Sequence, residues 1–105
     1  MHHAVYHLAL TWRHAKFLAD HPTVPPETFD PPLSLPKLVC FVPRAQINNV
    51  IAIRDWLHDT GLAGRFRLLG RFERFTSAFL GLVVSFDNAF DLRRFRAYWA
   101  AHGTV

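Results

Sequence analysis

The sequence predicts an α+β domain in which helices cover one face of an antiparallel sheet. Half of the residues are hydrophobic, including ten phenylalanines and three tryptophans, so a chain of 105 residues can bury a single core. Strand-like and helix-like segments follow one another over residues 37–105, in the order strand, helix, strand, strand, helix. A connector, residues 21–36, holds six of the seven prolines and separates this unit from an N-terminal element, residues 1–20. We therefore expect one compact domain overall.

The N-terminal element fits either of two structures. Residues 6–12 alternate between large apolar side chains and smaller or polar ones, which is typical of a strand. Val5, Leu8 and Trp12 also recur at helical spacing, which is typical of an amphipathic helix. We expect a strand that ends near Trp12, followed by a short helix over residues 13–20.

The C-terminal unit divides into five elements. An apolar run that ends in a proline, residues 37–43, predicts a central strand. Apolar residues at helical spacing over residues 44–61, ended by a glycine, predict a helix. Two strand-like stretches, residues 65–73 and 77–86, are joined by a turn. The last segment, residues 87–103, begins with a capping aspartate and ends in a glycine, so it predicts a second helix.

This order of elements is that of the ferredoxin-like, split βαβ arrangement without its fourth strand. We therefore predict a ferredoxin-like antiparallel sheet with two helices on one face, and an N-terminal segment that supplies an extra edge strand or a short helix. The missing strand would lie antiparallel beside residues 37–43. We expect residues 4–12 to fill this place, with the proline-rich connector allowing the chain to return. In the alternative, the edge is exposed and recruits a strand from a partner.

The stretch RFRLLGRFERF, residues 65–75, places arginine beside phenylalanine three times. Successive side chains of a strand point to opposite faces, so the two residue types can be separated by their parity. Phe66, Leu68 and Phe72 should face the helices, and the arginines should lie on the open face of the sheet. Phe75 lies beyond the expected start of the turn and is assigned to neither face.

The open face is expected to gain aromatic rings from the neighbouring strands. In residues 77–86 the heavier apolar face contains the even-numbered residues, which leaves Phe79 on the other face. The strand over residues 37–43 adds Phe41 together with Lys37. The predicted binding residues are therefore Arg65, Arg67, Arg71, Phe41, Phe79 and Lys37.

Two of these strands resemble those of a known family. The run CFVPRA resembles the first conserved strand of the RNA-recognition motif, and AFLGLVVSF resembles its third strand. The resemblance covers residues 38–102 in the order and spacing of elements. It implies that exposed aromatic rings of the first and third strands, here Phe41 and Phe79, stack on RNA bases. Gly81 stands where the family has a second ring in the third strand, and Ser77 and Ala78 replace its usual basic residue and glycine.

The predicted open face favours two binding functions. The first is a small protein-interaction module, such as an inhibitor, an adaptor or a homodimer, in which arginine and aromatic residues are the hot spots. The second is binding of single-stranded nucleic acid, with arginines on the phosphates. The formal net charge of +4 permits an acidic partner without requiring one. We place protein interaction first because one of the family's third-strand rings is absent, and because short chains this rich in apolar residues often bury surface between subunits.

Catalytic and metal sites have weaker support in the sequence. It contains no glycine-rich phosphate loop and no nucleophile elbow. Asp55 and His58, three residues apart on a predicted helix, could orient an imidazole as a general base, so a small ferredoxin-like enzyme is the third alternative. His3 and His7 have the spacing of metal ligands on a helix, but no cysteine or carboxylate completes the set. We therefore expect neither a metal ion nor a cofactor.

The remaining features indicate a cytoplasmic protein. Cys40 is the single cysteine, which excludes an intramolecular disulfide and fits a reducing compartment, and its apolar neighbours predict a buried thiol. The first residues lack the basic leader and apolar run of a signal peptide. The longest apolar run, residues 78–84, is much shorter than the roughly 20 residues that span a bilayer, so we expect no membrane partner.

Overall fold

A computed structural model of the protein describes residues 5–21, 38–47, 50–62 and 64–102. These residues form an α+β structure with a four-stranded antiparallel sheet and three α-helices, which confirms the predicted class. In chain order the elements are β1 (Val5–Ala9), α1 (Trp12–Asp20), β2 (Val39–Pro43), a short 3₁₀ turn (Arg44–Gln46), α2 (Val50–Asp59), β3 (Phe66–Glu73), β4 (Phe79–Phe86) and α3 (Ala89–His102).

The N-terminal segment forms both a strand and a helix. β1 ends at Ala9, earlier than predicted, because Thr11 begins the helix as its N-cap. The Thr11 hydroxyl accepts a hydrogen bond from the backbone N–H of His14 at 3.1 Å, which satisfies one of the free donors of the first turn. α1 then places Ala15 and Leu18 in the core.

The strand order across the sheet is β1, β3, β4, β2. β4 pairs antiparallel with both of its neighbours, so β2 and β3 run parallel to each other on either side of it, and α2 connects them. The prediction that the N-terminal strand lies beside residues 37–43 is wrong. β1 pairs antiparallel with β3, at the opposite edge of the sheet.

Side-chain packing explains why β1 lies beside β3. The ring of Tyr6 stacks on the ring of Phe72, with their centroids 5.4 Å apart. Leu10 fills the space above Gly70, where a Cβ atom would lie 2.7 Å from the Leu10 Cδ1. These contacts fix both the edge and the register, and they join residues at least sixty positions apart in the chain. No local pattern in the sequence contains that information.

The core lies between the sheet and the three helices. One continuous cluster of buried apolar side chains joins the helix-facing side of all four strands to α1, α2 and α3. Two helices were expected over the sheet, and α1 adds a third. Cys40 belongs to this cluster, and burial raises the pKa of its thiol, so the prediction of a buried cysteine is confirmed.

The parity prediction is correct for β3 and only partly correct for β4. Leu68 and Phe72 are in the core as expected. The register shifts at the end of the hairpin, because Arg71 pairs with Gly81 while Phe72 pairs with Phe79, and Leu80 becomes the extra residue of a β-bulge. Phe79 therefore faces the helices.

The start of α3 is tied to the chain that leads into β3. Asn88, and not the expected aspartate at position 87, caps the helix, because its side-chain oxygen accepts from the backbone N–H of Asp91 at 2.9 Å. The fully buried Asp91 carboxylate accepts from the backbone N–H of Gly64 at 2.8 Å. The Asp87 carboxylate accepts from the backbone N–H of Arg65 at 3.1 Å. These bonds fix where β3 begins.

Candidate functional site

The open face is the side of the sheet opposite the helices, and the strand register divides it into cross-strand rows. The first row joins Val5 and Glu73. The second row consists of His7, Arg71, Gly81 and Pro43. The third row consists of Ala9, Leu69, Val83 and Phe41. The fourth row consists of Arg67, Ser85 and Val39.

The floor of the open face is apolar and closed. Leu69 and Val83 occupy its centre and are fully buried, although neither belongs to the core cluster on the helix side. Phe41 and Arg71 are half-buried beside them, while Arg67 is exposed. A partner would therefore meet the half-buried Phe41 and Arg71 and the exposed Arg67 rather than this floor, which suits a contact surface better than an enclosed catalytic pocket.

Phe41, Arg71 and His7 are in contact across the full width of the sheet. The Cζ atom of Arg71 lies 4.1 Å from the centroid of the Phe41 ring, within the range of a cation–π interaction. The Nε–H of the same guanidinium donates a hydrogen bond to Nε2 of His7 at 3.0 Å. Arg71 therefore bridges a strand at one edge of the sheet and a strand at the other.

Gly81 makes room for the Phe41 ring. A Cβ atom at this position would lie 2.8 Å from the Phe41 Cε1 and 2.3 Å from the carbonyl oxygen of Val42, so any side chain would displace the ring or the strand. The family resemblance implied a second aromatic ring at residue 81. The glycine found there instead lets the Phe41 ring lie across β4 and meet Arg71.

Burial shapes the electrostatics of this contact. His7 is only 7% exposed, and burial lowers its pKa, with a smaller contribution from the cation of Arg71. The imidazole is therefore neutral near pH 7, with Nε2 free to accept the arginine hydrogen bond. Burial also lowers the pKa of Arg71, yet an arginine keeps its charge at neutral pH. The site thus holds one partly desolvated cation against a neutral imidazole and an aromatic ring.

The structure brings together only some of the predicted binding residues. Phe41 and Arg71 are in contact, and Arg67 lies on the same face. Arg65 precedes β3 and lines a separate open depression of about 430 Å³ beside His58. The placement of Phe79 on the open face is wrong, because the bulge turns it into the core, where it is 2% exposed and its ring lies 5.7 Å from that of Phe72. Lys37 lies outside the described residues.

Sequence reasoning missed His7 as part of this surface. Its parity in β1, opposite to Tyr6 and Leu8, is a usable signal that it points away from the core. Its partner could not be identified, because β1 was assigned to the wrong edge. Of the two histidines in the metal hypothesis, His3 lies outside the described residues, and the described part of the chain contains no group of three or more histidine, cysteine or acidic side chains that could hold a metal ion.

The proposed catalytic pair is engaged elsewhere. The Asp55 carboxylate accepts hydrogen bonds from its neighbour Arg54, with Nη2 at 3.1 Å. The exposed imidazole of His58 lies against the rings of Trp12 and Phe66 instead.

Among the helices that the structure describes, none has the length and hydropathy to cross a membrane.

The outer edge of β2 has no strand partner among the described residues. Leu38 directs its carbonyl toward β4, where it accepts from Phe86, so alternation turns the main-chain groups of Val39, Phe41 and Pro43 outward. Arg96 donates to the Val39 carbonyl at 3.4 Å, and a proline has no N–H to offer. A charged side chain and a proline are common protections of an edge strand, so this edge is poorly suited to accept a further strand.

Comparison with known proteins identifies no relative, since no family model, curated protein or solved structure matches the chain. The function must therefore be inferred from the geometry of the chain itself.

Proposed function

We propose that the protein is a small non-enzymatic binding module that acts through protein–protein interaction, with the open face as its contact surface. The observation that supports this most directly is the stacking of Arg71 on Phe41, at 4.1 Å, above an apolar and closed floor. Arginine and aromatic residues are enriched at the centres of protein interfaces and supply a large share of the binding free energy there.

The pair is also held in place before any partner binds. The hydrogen bond to His7 fixes the guanidinium from one side, and the glycine beneath the ring fixes Phe41 from the other. Side chains that are already ordered lose less conformational entropy on binding, which favours affinity. The partner would be a second copy of this chain or a different protein that the module inhibits or links to others.

Binding of single-stranded nucleic acid by the same face has less support. A base needs a free ring face to stack on, but the guanidinium of Arg71 covers one face of Phe41 and Phe79 is in the core. Of the open-face arginines in the described residues, only Arg67 has a side chain that makes no hydrogen bond, ion pair or ring contact with another described residue. One free cation would give weak binding that depends on salt.

We also propose a more specific description of the fold. The split βαβ arrangement is supported by β2 and β3, which run parallel on either side of β4 and are connected by α2. We propose that this unit is ferredoxin-like, with β1 added beyond β3 and not at the place of the missing fourth strand. A relation to the RNA-recognition motif would then be one of fold, without its pair of stacking rings.

The proposed function can be tested by binding and sedimentation measurements. Immobilised wild-type protein is used to recover partners from an extract of the source cells, and sedimentation velocity over a concentration series detects self-association. Arg67→Glu, which alters an exposed side chain, and Phe41→Ala should both reduce recovery or dimer formation. Arg93→Glu, on the exposed side of α3, is the matched control. If Phe41→Ala and Arg67→Glu retain every interaction of the wild type, the open face is not the contact surface.

A further inference from the structure

The tip of the β3–β4 hairpin is a second surface feature, separate from the open face. Phe75 is 85% exposed there, more than any other large apolar side chain in the described residues, the next being Phe90 at 55%. Exposing a whole phenyl ring forgoes the stabilisation that its burial would give. The ring lies on a short turn between two strands, where it is accessible to a partner.

Hydrogen bonds within the turn hold the tip in a fixed shape. The Glu73 carboxylate accepts from the backbone N–H of Thr76 at 2.7 Å and from its hydroxyl at 2.5 Å. The backbone N–H of Ser77 donates to the Glu73 carbonyl at 2.9 Å, and the Glu73 N–H donates to the carbonyl of Ala78 at 2.8 Å. The hydrogen bonds to the carboxylate, led by that from the Thr76 side chain and followed by those from the backbone of Thr76 and Phe75, lower the pKa of the Glu73 carboxyl, so the carboxylate that braces the turn is charged at neutral pH.

A third strand anchors the turn from the side. Ser77 has a left-handed backbone with φ of +60°, which residues other than glycine rarely adopt without a compensating contact. The hydroxyl of Tyr6, on β1, donates to the Ser77 side-chain oxygen at 3.0 Å. The tip is therefore braced by its own backbone and by the edge strand. The ring of Phe75, which the tip presents, is left exposed to solvent.

Arg74 adds a charge beside the exposed ring. Within the described residues the only ion pair joins Arg54 and Asp55, so no described carboxylate neutralises Arg74. The neighbouring carboxylate of Glu73 is directed toward Thr76. The tip thus displays one phenyl ring and one unpaired guanidinium side by side.

We propose that Arg74 and Phe75 form a preformed anchor that inserts into a folded protein partner, whose surface has an apolar pocket of the size of a phenyl ring and a carboxylate at the rim of that pocket. The inference rests on the proposed function as a protein-interaction module and adds a contact outside the open face. The two surfaces adjoin, because Glu73 ends the open face where the turn begins. One partner can therefore reach both.

Rigidity and charge both favour a protein over a membrane as the partner. A braced turn loses little entropy when it enters a pocket of fixed shape, whereas a fluid bilayer has no shape to match. Attraction to anionic lipids requires a cluster of several cations, and the turn presents the single cation of Arg74. A single ring also gives too little apolar area for stable membrane attachment.

The experiment uses the full chain and the partner protein that the immobilised wild-type chain recovers from the extract of the source cells. That protein is purified and titrated calorimetrically with wild type, Phe75→Ala, Arg74→Glu and Phe41→Ala. Phe90→Ala is the matched control, because Phe90 is also an exposed phenylalanine beside an arginine, with Arg94 at 5.5 Å from its ring. Vesicles of phosphatidylcholine with about a quarter phosphatidylserine are titrated in parallel. Circular dichroism confirms that each variant is folded.

We expect Phe75→Ala to weaken the affinity by about thirtyfold, as loss of an aromatic hot spot does, and Arg74→Glu by about tenfold. Phe90→Ala should stay within about threefold of the wild type. If Phe75→Ala binds like the wild type while Phe41→Ala does not, the anchor is overturned and the open face remains the interface. Binding to vesicles that Phe75→Ala abolishes would replace the protein partner with a membrane. Failure to obtain any protein that binds the purified chain would overturn both proposals.

Discussion

Arg71 and His7 are joined across the β1–β3 pair by a hydrogen bond in which the guanidinium Nε–H donates to the imidazole Nε2 at 3.0 Å. This bond exists only while His7 is neutral, since a protonated imidazole has no free acceptor nitrogen. Protonation would also place two cations side by side in a partly buried site. The position of Arg71 on Phe41, and with it the shape of the open face, therefore depends on the protonation state of one histidine.

We predict that His7 reduces the stability of the protein at acidic pH. Burial, and to a lesser degree Arg71, lower its pKa in the folded state below the ordinary value of 6.5. Below pH 6.5 the unfolded chain therefore binds a proton at this residue more readily than the folded chain, so the free energy of unfolding falls as the pH falls. The contribution of His7 is complete above pH 6.5 and is lost progressively toward its lower folded pKa.

Urea denaturation of the wild type and of His7→Gln between pH 5 and pH 8 would isolate this contribution from those of the other histidines and the carboxylates. Glutamine can accept the arginine hydrogen bond through its side-chain oxygen but does not titrate. The wild type should lose more stability than His7→Gln as the pH is lowered, and an NMR titration should give His7 a pKa below 6.5. Parallel stability curves for the two proteins would contradict the prediction.

Phe79 and Phe41 should differ sharply in their importance for stability. Phe79 is 2% exposed in the core, so Phe79→Ala should lower the free energy of unfolding by about 3–5 kcal/mol. Phe41 is half-buried on the open face and contacts a guanidinium, so Phe41→Ala should cost about 1 kcal/mol. Chemical denaturation of both variants measures this difference. Equal losses would mean that the bulge does not turn Phe79 into the core.

The correct part of the sequence-based prediction came from local alternation. In β3 the separation of Leu68 and Phe72 from Arg67 and Arg71 follows from the period of a strand, and the structure agrees. In β4 the same reasoning failed at Phe79 and Leu80, because Leu80 is the extra residue of a bulge. A bulge at the end of a hairpin depends on how the turn closes, which the alternation of side chains does not record.

The edge occupied by β1 could not be predicted for a different reason. Two edges of the sheet were open to it, and the choice depends on contacts such as that of Tyr6 with Phe72. Such contacts form only when distant parts of the chain meet, so they leave no local signal. The wrong edge for β1 also affected the prediction of the candidate site, because the contact of His7 with Arg71 follows from the pairing of β1 with β3. Phe41 and Arg71 could be named from the sequence, but their stacking on each other could not.

Asp91 should be the most important polar side chain for the stability of the α3 start. Its carboxylate is fully buried and accepts from the backbone of Gly64 and the side chain of Asn88. Asp91→Ala would leave the half-buried backbone N–H of Gly64 without this partner and would empty the fully buried position of the carboxylate, so we expect a loss of about 2–4 kcal/mol in the free energy of unfolding. Asp87→Ala, which removes an exposed carboxylate with one backbone bond, is the matched control and should cost about 1 kcal/mol. Thermal or urea denaturation compares the two, and similar losses would count against the role given to Asp91.

The last prediction separates protein binding from nucleic-acid binding on the open face. Fluorescent single-stranded oligonucleotides titrated over a salt series should bind weakly at low salt and lose that binding as salt is raised, as expected for electrostatic contact alone. Arg67→Ala should lower the dependence of log affinity on log salt by about one unit, because it removes one phosphate contact. Arg93→Ala on α3 is the matched control for the loss of a positive charge.

Phe41→Ala gives the decisive comparison in this series. A base stacked on its ring would contribute about 1–3 kcal/mol, so removal of the ring would weaken binding by about tenfold or more. We expect almost no change, because Arg71 already occupies one face of the ring and Gly81 lies close to its Cε1 and Cζ atoms. A large loss of oligonucleotide affinity in Phe41→Ala, with the salt dependence unchanged, would mean that Arg71 gives way to a base. The open face would then be a nucleic-acid surface of the kind that the resemblance to the RNA-recognition motif implies.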